Sequence, residues 1–315
     1  MEAEFAHQPV MGREVVELLR PVPPGLVVDC TLGGGGHSAL LLEARADLTV
    51  LGIDRDAGAV DAARARLARF GDRVRVVHGG FEALREIVAR HGEGTVMGVL
   101  MDLGVSSPQL DRPERGFSFR FDAPLDMRMD ARQDLTAAEV VNSYPAQRLE
   151  ALIAELGEER YAARIARAVV AARPLHTTRE LVDVVRAAVP RHARHGVGHP
   201  ARRTFQAIRM EVNRELEHLD AGLDESVHLV GPGGRLLVLS YHSLEDRLVK
   251  RRFEAWAAVV DPPPHGMPVE PERRDPLVRV LTRRPMRPGA DEIARNPRAD
   301  SARLRAAERV GSAGR

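Results

Sequence analysis

The sequence predicts an α/β fold built on a parallel sheet, and three observations carry that expectation. Short apolar runs alternate with amphipathic stretches through the first third of the chain. Two of those runs, Leu26-Val27-Val28-Asp29 and Leu51-Gly52-Ile53-Asp54, end in an acid. A run of four glycines, Gly33–Gly36, separates the first acid from a helical segment. Acid-ended strands around a glycine loop form a nucleoside site, because glycine admits close backbone approach and the second acid accepts ribose hydroxyls.

Strand candidates are Leu26–Cys30, Thr49–Ile53, Val74–His78 and Val96–Leu103. Helix candidates between them are Ser38–Arg45, Ala57–Phe70 and Phe81–His91. Strand-helix alternation at this pitch needs right-handed crossovers and a parallel sheet. From Gln109 to about Asp134 the pattern gives way to a loop rich in Pro, Arg, Asp and Phe. Thr136 to Val189 is expected to be helical, with a capping box at Thr136–Glu139 and an N-cap at Thr178 for Arg179–Ala188. Thr204–Leu219 reads as one amphipathic helix. Strand character returns at Gly234–Tyr241, followed by helix Leu244–Trp256. Leu277–Thr282 and Arg303–Glu308 are expected to close the sheet as an antiparallel pair. The economical organisation is a sheet domain over 1–109 and 215–309, interrupted by a helical insertion over 110–214, with a tail at 310–315.

Composition narrows the function. The chain has 315 residues, 44% hydrophobic, and a single cysteine, Cys30, so no internal disulfide can form. The apolar runs are far shorter than a membrane span, and the acidic start Met1–Phe5 lacks a secretory pattern. A cytoplasmic protein without a membrane partner is expected. Net charge is only +1, but arginine outnumbers acid from Arg273 to Arg315, and a second basic stretch runs from Arg191 to Arg203. Such patches suit phosphate contact. A GC-rich genome is the plain alternative, since Lys250 is the only lysine.

The glycine run is a poor dinucleotide fingerprint: Gly33, Gly35 and Ser38 fit it imperfectly, and no Gly-Lys-Ser/Thr is present. Asp29 before the loop would repel a pyrophosphate and tolerate a cationic amino-acid group. That favours S-adenosylmethionine over a nicotinamide dinucleotide. A tight ligand-free turn is the alternative, against the entropy cost of four glycines. Asp54 stands at the ribose position, although it also lies where a helix N-cap is needed. Phe81 is placed to cover an adenine, or to pack in the core. Asp102 closes the fourth strand, where ligands of open parallel sheets bind. His192, His195 and His199 lack cysteine or acid at metal-ligand spacing, and no metal is expected.

Nine segments in order, His7–Met11, Asp29–Ser38, Ile53–Asp56, Met101–Asp111, Arg115–Phe119, Leu125–Met129, Gly157–Arg160, Ser240–Arg247 and Asn296–Arg305, form a further pattern. Together they resemble the bacterial 16S ribosomal RNA cytosine-N4 methyltransferase (RsmH/MraW) family. The resemblance spans nearly the whole chain. It implies a class I SAM-dependent (Rossmann-like) sheet with a helical substrate-recognition insertion. It implies methylation of a cytidine in the decoding region of 16S rRNA within the small ribosomal subunit. A non-catalytic RNA-binding assembly factor is the rival reading, and a homodimer is compatible with either. Carried over by position, the cofactor ligands are Gly35, Gly36, His37, Asp54, Phe81, Asp102 and Gln109.

The cytosine N4 amine is a poor nucleophile because its lone pair is delocalised into the ring. An acceptor for its hydrogens localises that pair during in-line attack. The base must also leave its stack. Many amino methyltransferases place an aromatic residue after a Pro-Pro pair for this, whereas this chain has Asp102-Leu103-Gly104-Val105. The stacking ring must come from elsewhere, with Phe117, Phe119, Tyr241 and His242 as candidates. Tyr241 and His242, at the end of the adjacent strand, are preferred. Asp102 and His242 are the catalytic candidates. Phe117, Phe119 and Tyr241 are the substrate-binding candidates, with packing roles as the alternative.

Overall fold

The computed structural model describes residues 9–105, 109, 112–191, 199–259 and 275–311. The expectations placed on His7, Ser106–Pro108, His192 and His195 lie outside the described residues. The chain divides into two compact units, Met1–Gly104 with Glu217–Arg315, and Val105–Leu216.

The first unit begins with α1 (Gly12–Leu19), β1 (Gly25–Asp29), α2 (Gly36–Ala44), β2 (Leu48–Asp54) and α3 (Ala57–Leu67). It continues with β3 (Val74–His78), α4 (Leu84–His91) and β4 (Val96–Asp102). The chain next forms the helices of the second unit: α5 (Ala137–Ser143), α6 (Ala146–Glu155), α7 (Ala162–Ala171), α8 (Thr178–Ala188) and α9 (Arg202–Asn213). It returns to the sheet through α10 (Glu215–Leu229), β5 (Val230–Ser240), α11 (Ser243–Ala257), β6 (Val278–Val280), α12 (Ala290–Arg295) and β7 (Arg303–Arg309).

The seven strands are ordered β3-β2-β1-β4-β5-β7-β6. β3, β2, β1, β4 and β5 run parallel, and β7 is antiparallel to both β5 and β6. The inner strands read as near-continuous apolar runs because both sheet faces are covered. Alternate residues go to opposite cores. Val27, Leu237 and Leu304 join one cluster with α1 and α2. Val28, Leu236 and Val238 join the other with Leu223 of α10 and Phe253 of α11. Strand order reverses between β1 and β4, so the carboxyl ends of those two strands flank the switch-point crevice.

The helical unit has its own core, made of Ile165, Val169, Leu181, Val185, Phe205, Ile208 and their neighbours. Two local expectations are corrected here. The N-cap of α8 is Thr177, not Thr178. Thr177 Oγ1 accepts from Glu180 N, and Glu180 returns a bond to Thr177 N, closing a capping box. Thr178 is occupied elsewhere: its hydroxyl donates to Phe121 O at 2.6 Å and accepts from Ala123 N at 3.0 Å. Nor is Thr204–Leu219 one helix. The chain turns through the left-handed region at Arg214, φ 49°. The buried Asn213 amide beside it donates to Met127 O and accepts from Met129 N, so it holds a loop rather than continuing the helix.

Candidate active site

The turn after β1 builds the first wall. Gly35 caps α2 with φ 74°, and a Cβ there would stand 2.9 Å from the Leu67 side chain. Conformation and space both require glycine at that point. Gly36 is the first residue of α2. Gly33 N donates to Asp54 Oδ2 at 2.7 Å, and Asp56 N donates to Asp54 Oδ1 at 2.9 Å. Asp54 thus clamps the glycine turn to the end of β2, and each oxygen keeps a second lone pair for a ligand hydroxyl. Burial raises the Asp54 pKa above the usual carboxylate range against the lowering effect of these two N–H groups. The helix-cap role falls to Asp56, whose carboxylate accepts from Gly58 N.

Asp29 lies beneath the turn, 1% exposed. Burial pushes its pKa up to about 6, although the Ser38 hydroxyl donates to it at 2.7 Å. The partner Ser38 carried no chemical signal in the sequence except its place after the glycines.

Asp102, at the end of β4, is fixed from two directions. Its backbone N donates to Thr31 Oγ1 at 2.6 Å, and its Oδ1 accepts the Tyr241 hydroxyl at 2.7 Å. His37 Nδ1 lies 3.6 Å from Asp102 Oδ2, while His37 Nε2 is 2.9 Å from Val10 O. A carbonyl only accepts, so Nε2 carries the hydrogen. In the neutral ring, Nδ1 then presents a lone pair beside the carboxylate. Two acceptors side by side make a place for an N–H donor. Burial and the Asp102 charge hold the Tyr241 phenol well above its ordinary pKa, so it stays a donor.

His242 caps α11: its Nδ1 accepts from Glu245 N, and its Nε2 stands 3.2 Å from Glu245 Oε1. Its ring is mostly enclosed, 11% exposed. Phe81 follows β3 in a short 3-10 turn and is buried against α10, where a Cβ on Gly222 would meet its ring at 2.6 Å. The Arg55 guanidinium lies 5.5 Å over that ring and bonds Glu82 and His218.

The remaining predicted residues belong to the helical unit. Gln109 is buried in helical backbone. Phe117 joins the unit's core under the Arg115 guanidinium. Phe119 stacks on His199 at 4.7 Å with an interplanar angle of 11° and meets Phe205 edge-on. Sequence reasoning missed Thr31, Val10 and the Glu245 carboxylate, which accepts from Tyr241 N. Only the proximity of Thr31 to the acid-glycine run could have pointed to one of them.

The family model described as the MraW methylase family matches residues 4–310. The chain belongs to that family. It is a methyltransferase. Among its relatives is the ribosomal RNA small subunit methyltransferase H of Thermobifida fusca, 50% identical over 311 residues, covering 97% of this chain and 94% of that protein. The protein of the same name from Symbiobacterium thermophilum is 49% identical over 306 residues, 96% of each chain. The crystal structure of an rRNA methylase from Streptococcus thermophilus aligns with 97% of this chain and 99% of its own at 11% identity, TM-score 0.44.

The methyl donor of the family's reaction is S-adenosylmethionine. The residues present fit it. Asp54 offers acceptors at the ribose position, the turn at Gly33–Gly36 leaves no side chain between backbone and ligand, and the partly exposed carboxylate of Asp102 suits a cationic amino-acid moiety.

Proposed function

We propose that the chain methylates the N4 amine of a cytidine in the decoding region of 16S rRNA, acting on the small ribosomal subunit in the cytoplasm. Among the described residues no helix is long and apolar enough to cross a membrane. The supporting observation is Asp102 at the switch point, its backbone held by Thr31 and its carboxylate by the Tyr241 hydroxyl, with His37 Nδ1 beside it.

When bound, the donor supplies an electrophilic sulfonium methyl group. Asp102 accepts a hydrogen of the exocyclic amine and so localises the nitrogen lone pair for attack. The new N–C bond forms as the S–C bond breaks, and the proton leaves the nitrogen for Asp102. Tyr241 holds Oδ1 by donation, which fixes the carboxylate plane. Acceptor groups at this point select an amine over the carbonyl oxygen that uracil carries at the same ring position. Asp54, Gly35 and Gly36 hold the donor, with His37, Phe81 and Gln109 in the same binding role. His242 anchors α11 and so positions the adjoining Tyr241. Phe117 and Phe119 belong to the helical insertion, whose role in this reading is recognition of the RNA.

The test uses methyl-labelled S-adenosylmethionine and small subunits from cells lacking the native modification. Nucleosides are released and identified by mass spectrometry. Label on N4-methylcytidine supports the proposal. Label on another nucleoside overturns the target, and donor binding without any label favours an assembly factor.

A further inference from the structure

The arginine-rich stretch near the end of the chain is not used by the chemistry above. Between β6 and β7 the segment 281–302 carries Arg283, Arg284, Arg287, Arg295 and Arg298 against Asp291, Glu292 and Asp300. Its placement follows from hydrogen bonds. Met286 and Leu304 exchange both backbone bonds at 3.0 Å, and Leu304 pairs with Leu239 near the end of β5. Tyr241 lies two residues beyond Leu239 and donates to Asp102. The loop over 283–287 therefore sits at the carboxyl rim of the sheet, just beyond β7 and three strand spacings, roughly 14 Å, from β4 at the switch-point crevice.

A second tether fixes the following helix. Glu292 of α12 accepts from Met11 N at 2.7 Å, and the preceding residue, Val10, accepts from His37 beside Asp102. This bond engages one of the three acids of the segment.

The arginines of the loop contrast with those of the neighbouring strand. Arg303 and Arg305 of β7 are both paired to Asp246, at 3.3 and 2.6 Å. Arg279 of β6 is paired to Glu308. Arg283, Arg284 and Arg287 are exposed, and none has a carboxylate or other hydrogen-bond partner among the described residues. Three uncompensated guanidiniums within five residues raise the local positive potential, and the fork geometry of each suits a phosphate.

We propose that Arg283, Arg284 and Arg287 form a phosphate-binding strip that holds the backbone of the substrate RNA at the mouth of the methylation site. The inference rests on the reading of RNA as substrate. Its physical content is positional. Phosphate contacts carry no sequence information, but they fix the register of the strand relative to the acceptor that does the chemistry. The strip acts through encounter and positioning, so it raises the affinity for RNA without altering donor binding.

The experiment compares wild type with R283Q/R284Q/R287Q, and with R20Q/R66Q/R90Q as a charge-matched control. Arg20, Arg66 and Arg90 are exposed and lie at helix ends on the amino side of the sheet. Binding to small subunits is measured against salt concentration, alongside labelled-methyl transfer and S-adenosylmethionine affinity. The rim variant is expected to reduce the salt slope by about 2–3, at roughly 0.7–0.9 per phosphate contact. Its KM for subunits rises about ten-fold, with donor affinity and kcat near wild type. The control keeps the wild-type slope.

An unchanged slope in a rim variant that still binds donor overturns the proposal. Equal losses in both variants also overturn it, because net charge and not the strip would then be responsible. Wild-type transfer reports on the substrate reading separately: subunits bound with a rim-dependent slope but never methylated would refute that reading and leave the strip standing.

Discussion

The two units of the chain handle buried polarity in different ways. In the helical unit the main cluster is hydrophobic, and buried polar side chains are few: Thr178 and Asn213 tie loops, Glu159 accepts from Tyr161 N, and the Thr204 hydroxyl is buried without a partner among the described residues. In the sheet unit carboxylates stand at the ends of β1, β2 and β4, each engaged by backbone or hydroxyl donors. Retaining ionisable groups against their desolvation is costly, and proteins do so chiefly where chemistry needs them. The contrast supports the proposal that the chemistry is carried at the carboxyl rim of the sheet.

Variants can break this comparison, and the largest effect is expected at Asp102. Asp102→Asn keeps an acceptor oxygen but cannot receive the amine proton, so kcat should fall by about 10²–10⁴ while the protein stays folded. Steady-state transfer to subunits measures it, and a near-wild-type kcat would assign the proton elsewhere.

In the helical unit the matching lesion is Ile165→Ala. Removing this fully buried side chain should cost about 2–5 kcal/mol of stability by chemical denaturation. Donor affinity of the folded protein should be unaltered. A large loss of donor binding there would mean that the two regions are not separable in function.

Asp54→Ala loses two charge-assisted bonds to backbone N–H groups as well as the ribose acceptors. S-adenosylmethionine affinity by calorimetry should drop by about 10–100-fold, and an unchanged affinity would refute the ribose assignment.

The smallest effects concern caps and titration. Thr177→Ala should cost about 1 kcal/mol and leave catalysis alone. Asp29 gives a pH signature instead. Its folded pKa, about 6, lies above the ordinary aspartate value near 3.8, so the folded state takes up a proton first as pH falls. Ionised Asp29 is fully penalised above pH 6, and the penalty is relieved on acidification and gone below about pH 4. The difference in melting temperature between wild type and Asp29→Asn should therefore vary across that window and be flat above it.

Much of the sheet unit was legible in the sequence because its signals are local. Apolar runs ending in acids marked β1, β2 and β4, and the expected antiparallel pair at the end of the chain appears as β6 and β7. The errors arose where long-range bonds override local preference. Thr178 looks like a cap but is recruited by the loop at Phe121–Ala123. Nothing in an amphipathic pattern announces the turn at Arg214. The same holds at the site. Asp54 and Asp102 stand out by position, whereas the contact of His37 with Val10 and the bond from Tyr241 to Asp102 join residues 27 and 139 apart in the chain. No spacing rule reaches those distances.

In the proposed mechanism the sheet rim acts through one carboxylate, with Tyr241 working on it. A double-mutant cycle tests this most directly: single-turnover methylation of small subunits, at saturating S-adenosylmethionine, by wild type, Tyr241→Phe, Asp102→Asn and the double variant. The account predicts a loss of about ten-fold for Tyr241→Phe alone, from one charge-assisted hydrogen bond. It predicts no further loss when Tyr241→Phe is added to Asp102→Asn. Losses that multiply in the double variant would contradict it, since Tyr241 would then contribute independently of Asp102.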